Sequence, residues 1–272
     1  RFRPRAAARG DSGAARRWPD SSPTASAARQ QALRALSARL QQVGELPQLD
    51  AMERDVLAYR IRETLESATY DEDRIPFISG EGFFANPDYA STLTVLRTRE
   101  DAEAWLARLE AIPAYFERET VNMRRGIATR FTQAPLVVRN SIQGVRAQAA
   151  IPAAESPLMA PLAKLPESVT ERAALQARGE EIYRTRIIPS LTALGDFLER
   201  EYLPAARPRL GARSLRNGAR YYEFLVRKHT TTNLTPAQVH ALGVQEVARI
   251  RAEMNAIIRE TNFQGSFADF LA

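Results

Sequence analysis

The chain has 272 residues, 44% of them hydrophobic, which is enough to bury one large core or two smaller ones. It has no cysteine, so disulfides, thiolate metal sites and a cysteine nucleophile are excluded. Of its formal charge of +6, residues 1–30 hold a net +5 (seven arginines against Asp11 and Asp20), and the near-neutral remainder argues against nucleic acid as a partner.

Residues 1–28, rich in Arg, Ala, Ser and Pro, read as a disordered head. The head lacks the apolar centre of a secretory signal and assigns no compartment. No apolar run approaches the roughly 20 residues that cross a bilayer, so no membrane span is expected. The N-terminal helical subdomain, 29–151, opens with Leu33, Leu36, Leu40 and Val43 at the spacing of one buried face. A second helix over Leu49 to about Ala68 should turn Leu49, Met52, Val56 and Tyr59 inward and pair with the first as a hairpin.

Residues 70–97 carry Pro76, Gly80, Gly82 and Pro87 with scattered aromatics and read as a packed loop. The Gly80-Glu81-Gly82 triplet is too short for a phosphate-binding loop. Thr98 is placed to cap a helix through Trp105 and Leu109, and Pro113 should kink that helix or divide it in two. A further helix spans about 135–149; there Arg139, Asn140, Ser141 and Gln143 read as a solvated face, and Ser141 has no Gly-x-Ser-x-Gly context.

A proline-rich connection, 152–167, favours extended chain or short helical turns and is the expected internal boundary. The second helical segment, 168–272, has a helical pattern interrupted at Pro189 and ended by Pro204 and Pro208. Thr235-Pro236-Ala237-Gln238 is a capping box with proline at the first helical position. Its helix carries Val239, Gly243, Val247, Ile250, Met254 and Ile257 on one stripe. Ser266 with Asp269 opens another helix close to Ala272, and about one turn cannot repay helix nucleation, so this segment is expected to be truncated. Neither strand pairs nor repeats are expected. The fold class is all-α: an irregular multi-helix lobe with long amphipathic helices and proline-rich connections.

Catalytic zinc takes about three protein ligands and leaves one position open. His229 and His240, eleven residues apart, lack the two-ligand spacing of a helix, so neither a metal site nor a catalytic residue is expected within this chain. The run Thr230-Thr231-Thr232 after His229 either ends a helix by satisfying local backbone groups or offers hydroxyls to a ligand.

The block Tyr221-Tyr222-Glu223-Phe224-Leu225, His229-Thr230-Thr231-Thr232 and Leu234-Thr235-Pro236-Ala237-Gln238-Val239-His240-Ala241-Leu242-Gly243 resembles the bacterial family of domain-of-unknown-function 885. Its members are large helical proteins that look like zinc metallopeptidases, because a His-Glu-x-x-His motif lies well downstream of such a block. The resemblance covers about residues 30–272 and is most specific after Arg216. It implies the N-terminal lobe of a peptidase-like hydrolase, inactive alone, with zinc expected only in the missing C-terminal part. Tyr221, Tyr222, His229, Thr230 and Thr231 would then line a cleft for a peptide substrate. A metal-free helical binding or scaffold module, using residues 70–97 and the Tyr221 region, is the alternative. Relatives often carry export signals.

Overall fold

Side chains three residues apart set several helix starts. The computed structural model describes residues 12–78 and 81–271, which are all-α apart from one pair of two-residue strands. The Thr98 hydroxyl accepts from the Asp101 amide at 3.1 Å, while the Asp101 carboxylate accepts from the Thr98 amide at 3.0 Å. This reciprocal box satisfies two orphan donors and fixes the start of α4 (Arg99–Glu110). Thr235 and Gln238 do the same for α11 (Pro236–Glu260), and Ser266 with Asp269 for the short α12 (Phe267–Leu271).

The chain divides into two compact units, Arg1–Arg216 and Asn217–Ala272. In the first, α1 (Pro23–Gln41) and α2 (Gln48–Thr69) form the expected hairpin, with a different buried face. Leu49, Met52 and Val56, expected inward, are 72%, 58% and 57% exposed, whereas Ile61 and Glu63 are buried. Helical period finds an apolar face, but a two-helix hairpin has only one internal interface to cover it.

The described residues of 70–97 are packed, as expected, and also contain structure that their sequence does not announce. β1 (Phe77–Ile78) pairs antiparallel with β2 (Glu81–Gly82), Phe77 opposite Gly82. The connecting Ser79-Gly80 is a turn-forming dipeptide, but strands of two residues leave no alternation to read on either side of it. The pair rests on close approach, because a Cβ on Gly82 would lie 2.5 Å from that of Phe77. The seven-residue α3 (Asn86–Thr92) follows, with Pro87 in its first turn.

Pro113 separates α4 from α5 (Ile112–Thr129) rather than kinking one helix. On α6 (Pro135–Ala149), Arg139, Asn140 and Gln143 are exposed, but Ser141 is fully buried and its hydroxyl has no hydrogen-bond partner, which corrects its place on a solvated face. The proline-rich residues 152–167 form short helical turns and α7 (Ala160–Ala163). Leu158, Met159, Leu162 and Leu165 from this stretch join the same core cluster as α4, α5 and α9.

Helix α8 (Arg172–Ile182) continues through a π segment, Tyr183–Ile187, into α9 (Ile188–Phe197) and a second π segment, Leu198–Tyr202. Each π segment ends two residues before a proline, Pro189 or Pro204. A proline ring clashes with the carbonyl four residues back, here Thr185 and Arg200, and both carbonyls lie on a widened turn. The helix thus passes Pro189 instead of breaking. Helix α9 packs on α5 and α6, and α8 packs on α4.

Residues 1–11 of the expected disordered head lie outside the described residues; Ser12 onward has assigned structure, and Trp18 is buried at 4% exposure. Its ring stacks on Tyr115 at 5.5 Å, and its indole N–H donates to the Arg108 carbonyl at 2.8 Å. The Asn217–Ala272 unit consists of α10 (Gly218–Thr230), α11 and α12.

Candidate functional site

All five residues that the sequence singles out belong to α10 and its C-terminal cap. Phe224 and Val226 are buried side chains of this helix. Tyr222 and His229, seven residues apart and both exposed, share one of its faces, while Tyr221 is half-buried.

The threonine hydroxyls are engaged in ending the helix. Thr230 donates to the Val226 carbonyl at 2.8 Å and accepts from the Thr232 amide at 3.3 Å. Thr231 is the C-cap in left-handed backbone, φ 56°, with its amide donating to the Arg227 carbonyl at 2.9 Å and its hydroxyl to the Thr230 carbonyl at 2.7 Å. A β-branched residue rarely adopts that conformation, which costs about 1–2 kcal/mol. These bonds leave lone pairs on the hydroxyls and the exposed His229 ring available to a ligand. The set is therefore strung along one helix and its cap rather than gathered by convergence of distant elements.

The histidines lie on different helices, His229 on α10 and His240 on α11. Among the described residues, no three His, Asp or Glu side chains are placed to hold a metal ion. These described residues do not fit a catalytic zinc.

A second site, in the Arg1–Arg216 unit, has no counterpart in the sequence reading. The start of α3, the end of α6, the turns around 153–159 and the first π segment surround a shallow depression. Its cavity volume of about 10 Å³ is the space of one water. Asp88 contributes the carboxylate, Phe84 and Phe116 apolar walls, and Gln148, Ser156 and Tyr183 the polar groups. The Gln148 amide donates to Asp88 Oδ2 at 3.3 Å. Tyr183, first residue of the π segment, donates its hydroxyl to the Ile151 carbonyl at 3.1 Å. Ser156 Oγ accepts from the Leu158 amide at 3.3 Å.

Burial pushes the Asp88 carboxyl up to about 6, and among the described residues no cation is paired with it. Burial likewise raises the Tyr183 phenol, and the Asp88 charge adds to that rise, so the two groups feel one another. In sequence Asp88 looks like any first-turn helix acid after a proline, and only the tertiary fold separates it from cations. Pro189, two residues beyond the π segment that carries Tyr183, is the one local sign of distortion here.

The family model described as "Bacterial protein of unknown function (DUF885)" matches residues 4–272. No curated protein matches the chain significantly. Among solved structures, the chain is similar to "the putative lipoprotein from Colwellia psychrerythraea", with a TM-score of 0.81 and 17% identity. That match covers 90% of this chain and 44% of the other, so the chain spans less than half the length of that neighbour. At this identity the likeness shows a common fold.

Proposed function

Because the chain belongs to the bacterial family of domain-of-unknown-function 885, we propose that it is the helical, non-catalytic lobe of a zinc-dependent peptidase-like hydrolase and forms one wall of a peptide cleft. In this reading Tyr221, Tyr222, His229, Thr230 and Thr231 face the peptide, and chemistry belongs to sequence outside this chain. The observation that carries the reading is the apolar stripe of α11. Val247, Ile250, Met254 and Ile257 lie on one face and are 69%, 45%, 37% and 59% exposed, and a Cβ built at Gly243 on that face meets nothing within 4 Å. A continuous apolar face marks an interaction surface, and the larger fold of the solved neighbour has the additional chain to cover one. The described residues do not themselves fit a catalytic zinc.

The alternative, a metal-free helical binding or scaffold module, is favoured by the burial of Phe77, Phe83 and Phe84 among the described residues of 70–97.

The purified chain, incubated with zinc and a panel of fluorogenic peptides, should show no turnover and no stoichiometric zinc after dialysis. Peptide affinity measured by calorimetry should fall about tenfold, or about 1.4 kcal/mol, in Tyr222→Ala and His229→Ala. Thr231→Gly keeps the left-handed cap while removing the hydroxyl, so weaker binding at undiminished stability assigns that hydroxyl to the ligand. Turnover with tightly held zinc would overturn the non-catalytic reading. Peptide affinity unchanged in all three variants would remove these residues from the cleft.

A further inference from the structure

We propose that the Asp88 depression is a binding site for a single primary ammonium group, with the aspartate carboxylate as counter-ion. The site lies wholly within the Arg1–Arg216 unit and does not depend on the peptidase reading.

Size comes first. The cavity of about 10 Å³ admits one water-sized group, and an –NH₃⁺ head has that size, whereas a guanidinium or a quaternary ammonium does not. Chemistry selects the sign of the charge. Three oxygen-bearing side chains are among those that line this small space: Asp88, Ser156 and Tyr183. Tyr183 donates to the Ile151 carbonyl and is hydrogen-bonded by Ser156, which also accepts from the Leu158 amide, so both oxygens are held in place and each keeps limited acceptor capacity. Among the described residues the Gln148 amide is the one donor to the carboxylate, and its long 3.3 Å contact leaves most of the acceptor capacity of Asp88 unused.

A half-buried carboxylate without a cation is costly, and a positive ligand offsets that cost. The rings of Phe84 and Phe116 complete a lining that suits the short alkyl stem next to an ammonium head. The position of Tyr183 on a π segment adds to the case, because such widened turns recur at functional sites. An ammonium of this kind comes either from a lysine side chain or from a peptide or small-molecule amino group.

The test uses the full chain and follows backbone amide resonances of Asp88, Gln148 and Leu158 during titration with methylammonium chloride, with sodium and tetramethylammonium chlorides as controls. Saturable shifts with methylammonium alone are expected. They should vanish in Asp88→Asn, whose remaining spectrum reports whether the fold is kept. In the unsubstituted protein, binding should be at least about tenfold weaker at about pH 5 than at about pH 7.5, because Asp88 protonates between them while Tyr183 stays neutral throughout. Nα-acetyl-lysine amide and glycinamide then distinguish the source, the tighter of the two naming a lysine side chain or an amino terminus. Non-saturable shifts, equal shifts with sodium or tetramethylammonium, or binding that persists in Asp88→Asn or does not change with pH would each overturn the proposal.

Discussion

Glu119 shows how one buried carboxylate ties stability to pH. It is 5% exposed and accepts the Ser21 hydroxyl at 2.7 Å. Burial raises its carboxyl above 4.5, the Ser21 bond opposes that rise, and the charge of nearby Asp73 adds to it. Asp73 is itself raised, mainly by burial. A carboxyl raised in the folded state binds its proton more tightly there than in the unfolded chain, so its effect on stability is favourable in acid and is lost as pH rises from 4.5 through the folded value. At neutral pH Glu119 therefore opposes folding. Glu119→Gln keeps an oxygen for the Ser21 hydroxyl and removes the charge. Urea unfolding across pH should show the variant more stable at pH 7, by about 1 kcal/mol for a relieved buried charge, with a flatter profile above 4.5. A variant less stable than the parent at neutral pH would mean that the ionised carboxylate holds the Ser21 segment in place.

At the scale of elements, the segment that carries Trp18 behaves as a strap across α4 and α5. Trp18 stacks on Tyr115, the Arg108 guanidinium lies 4.3 Å from its ring centroid, and the Asn122 amide holds the Ser21 carbonyl at 2.9 Å. Burial has lowered the Arg108 guanidinium to about 10, a sign of how dry this contact is. Trp18→Ala should cost about 3–5 kcal/mol, the range for emptying a buried tryptophan site. Trp18→Phe, which keeps most of the ring but not the bond to the Arg108 carbonyl, should cost about 1–2 kcal/mol. Equal, small losses in chemical denaturation would show that the strap is peripheral. Trp18 also shows what the sequence conceals. The Arg- and Ala-rich composition around it reads as disorder, and the partners that bury it are 90 or more residues away. By contrast, the starts of α4 and α11 are legible because their caps are contacts between residues three apart. The inward face of α2 is not legible, since Leu49, Met52 and Val56 have the right period but no facing helix. Pro189 signals distortion correctly, yet the widened turn that absorbs it depends on packing. The Asp88 depression is the extreme case: its acid, amide, hydroxyl and phenol come from four separate stretches of chain.

For the whole molecule, α11 poses the largest energetic question. At 25 residues it is about 37 Å long, and none of its residues is buried. Its start is secured by the Thr235–Gln238 box, and Arg249 pairs with Glu246 and Glu253 along its surface. Those local terms suffice to keep a helix of this length, but exposed ion pairs contribute only tenths of a kcal/mol and leave the apolar stripe without compensation. An uncovered stripe in water favours association, through either a second copy or the partner that normally covers it. Val247→Asp with Ile250→Asp places two charges at the centre of the stripe without altering the cap. Sedimentation and light scattering should show the parent chain associating with rising concentration and the double variant remaining monomeric. Because the substitutions lie in the Asn217–Ala272 unit and the main core cluster is built from the other unit, unfolding followed at buried Trp18 and Trp105 should change by less than about 0.5 kcal/mol. A parent chain that stays monomeric at high concentration would show that the stripe tolerates water and would leave α11 without a docking role. Loss of the tryptophan-monitored transition in the double variant would instead make the stripe a structural support of the chain's own fold.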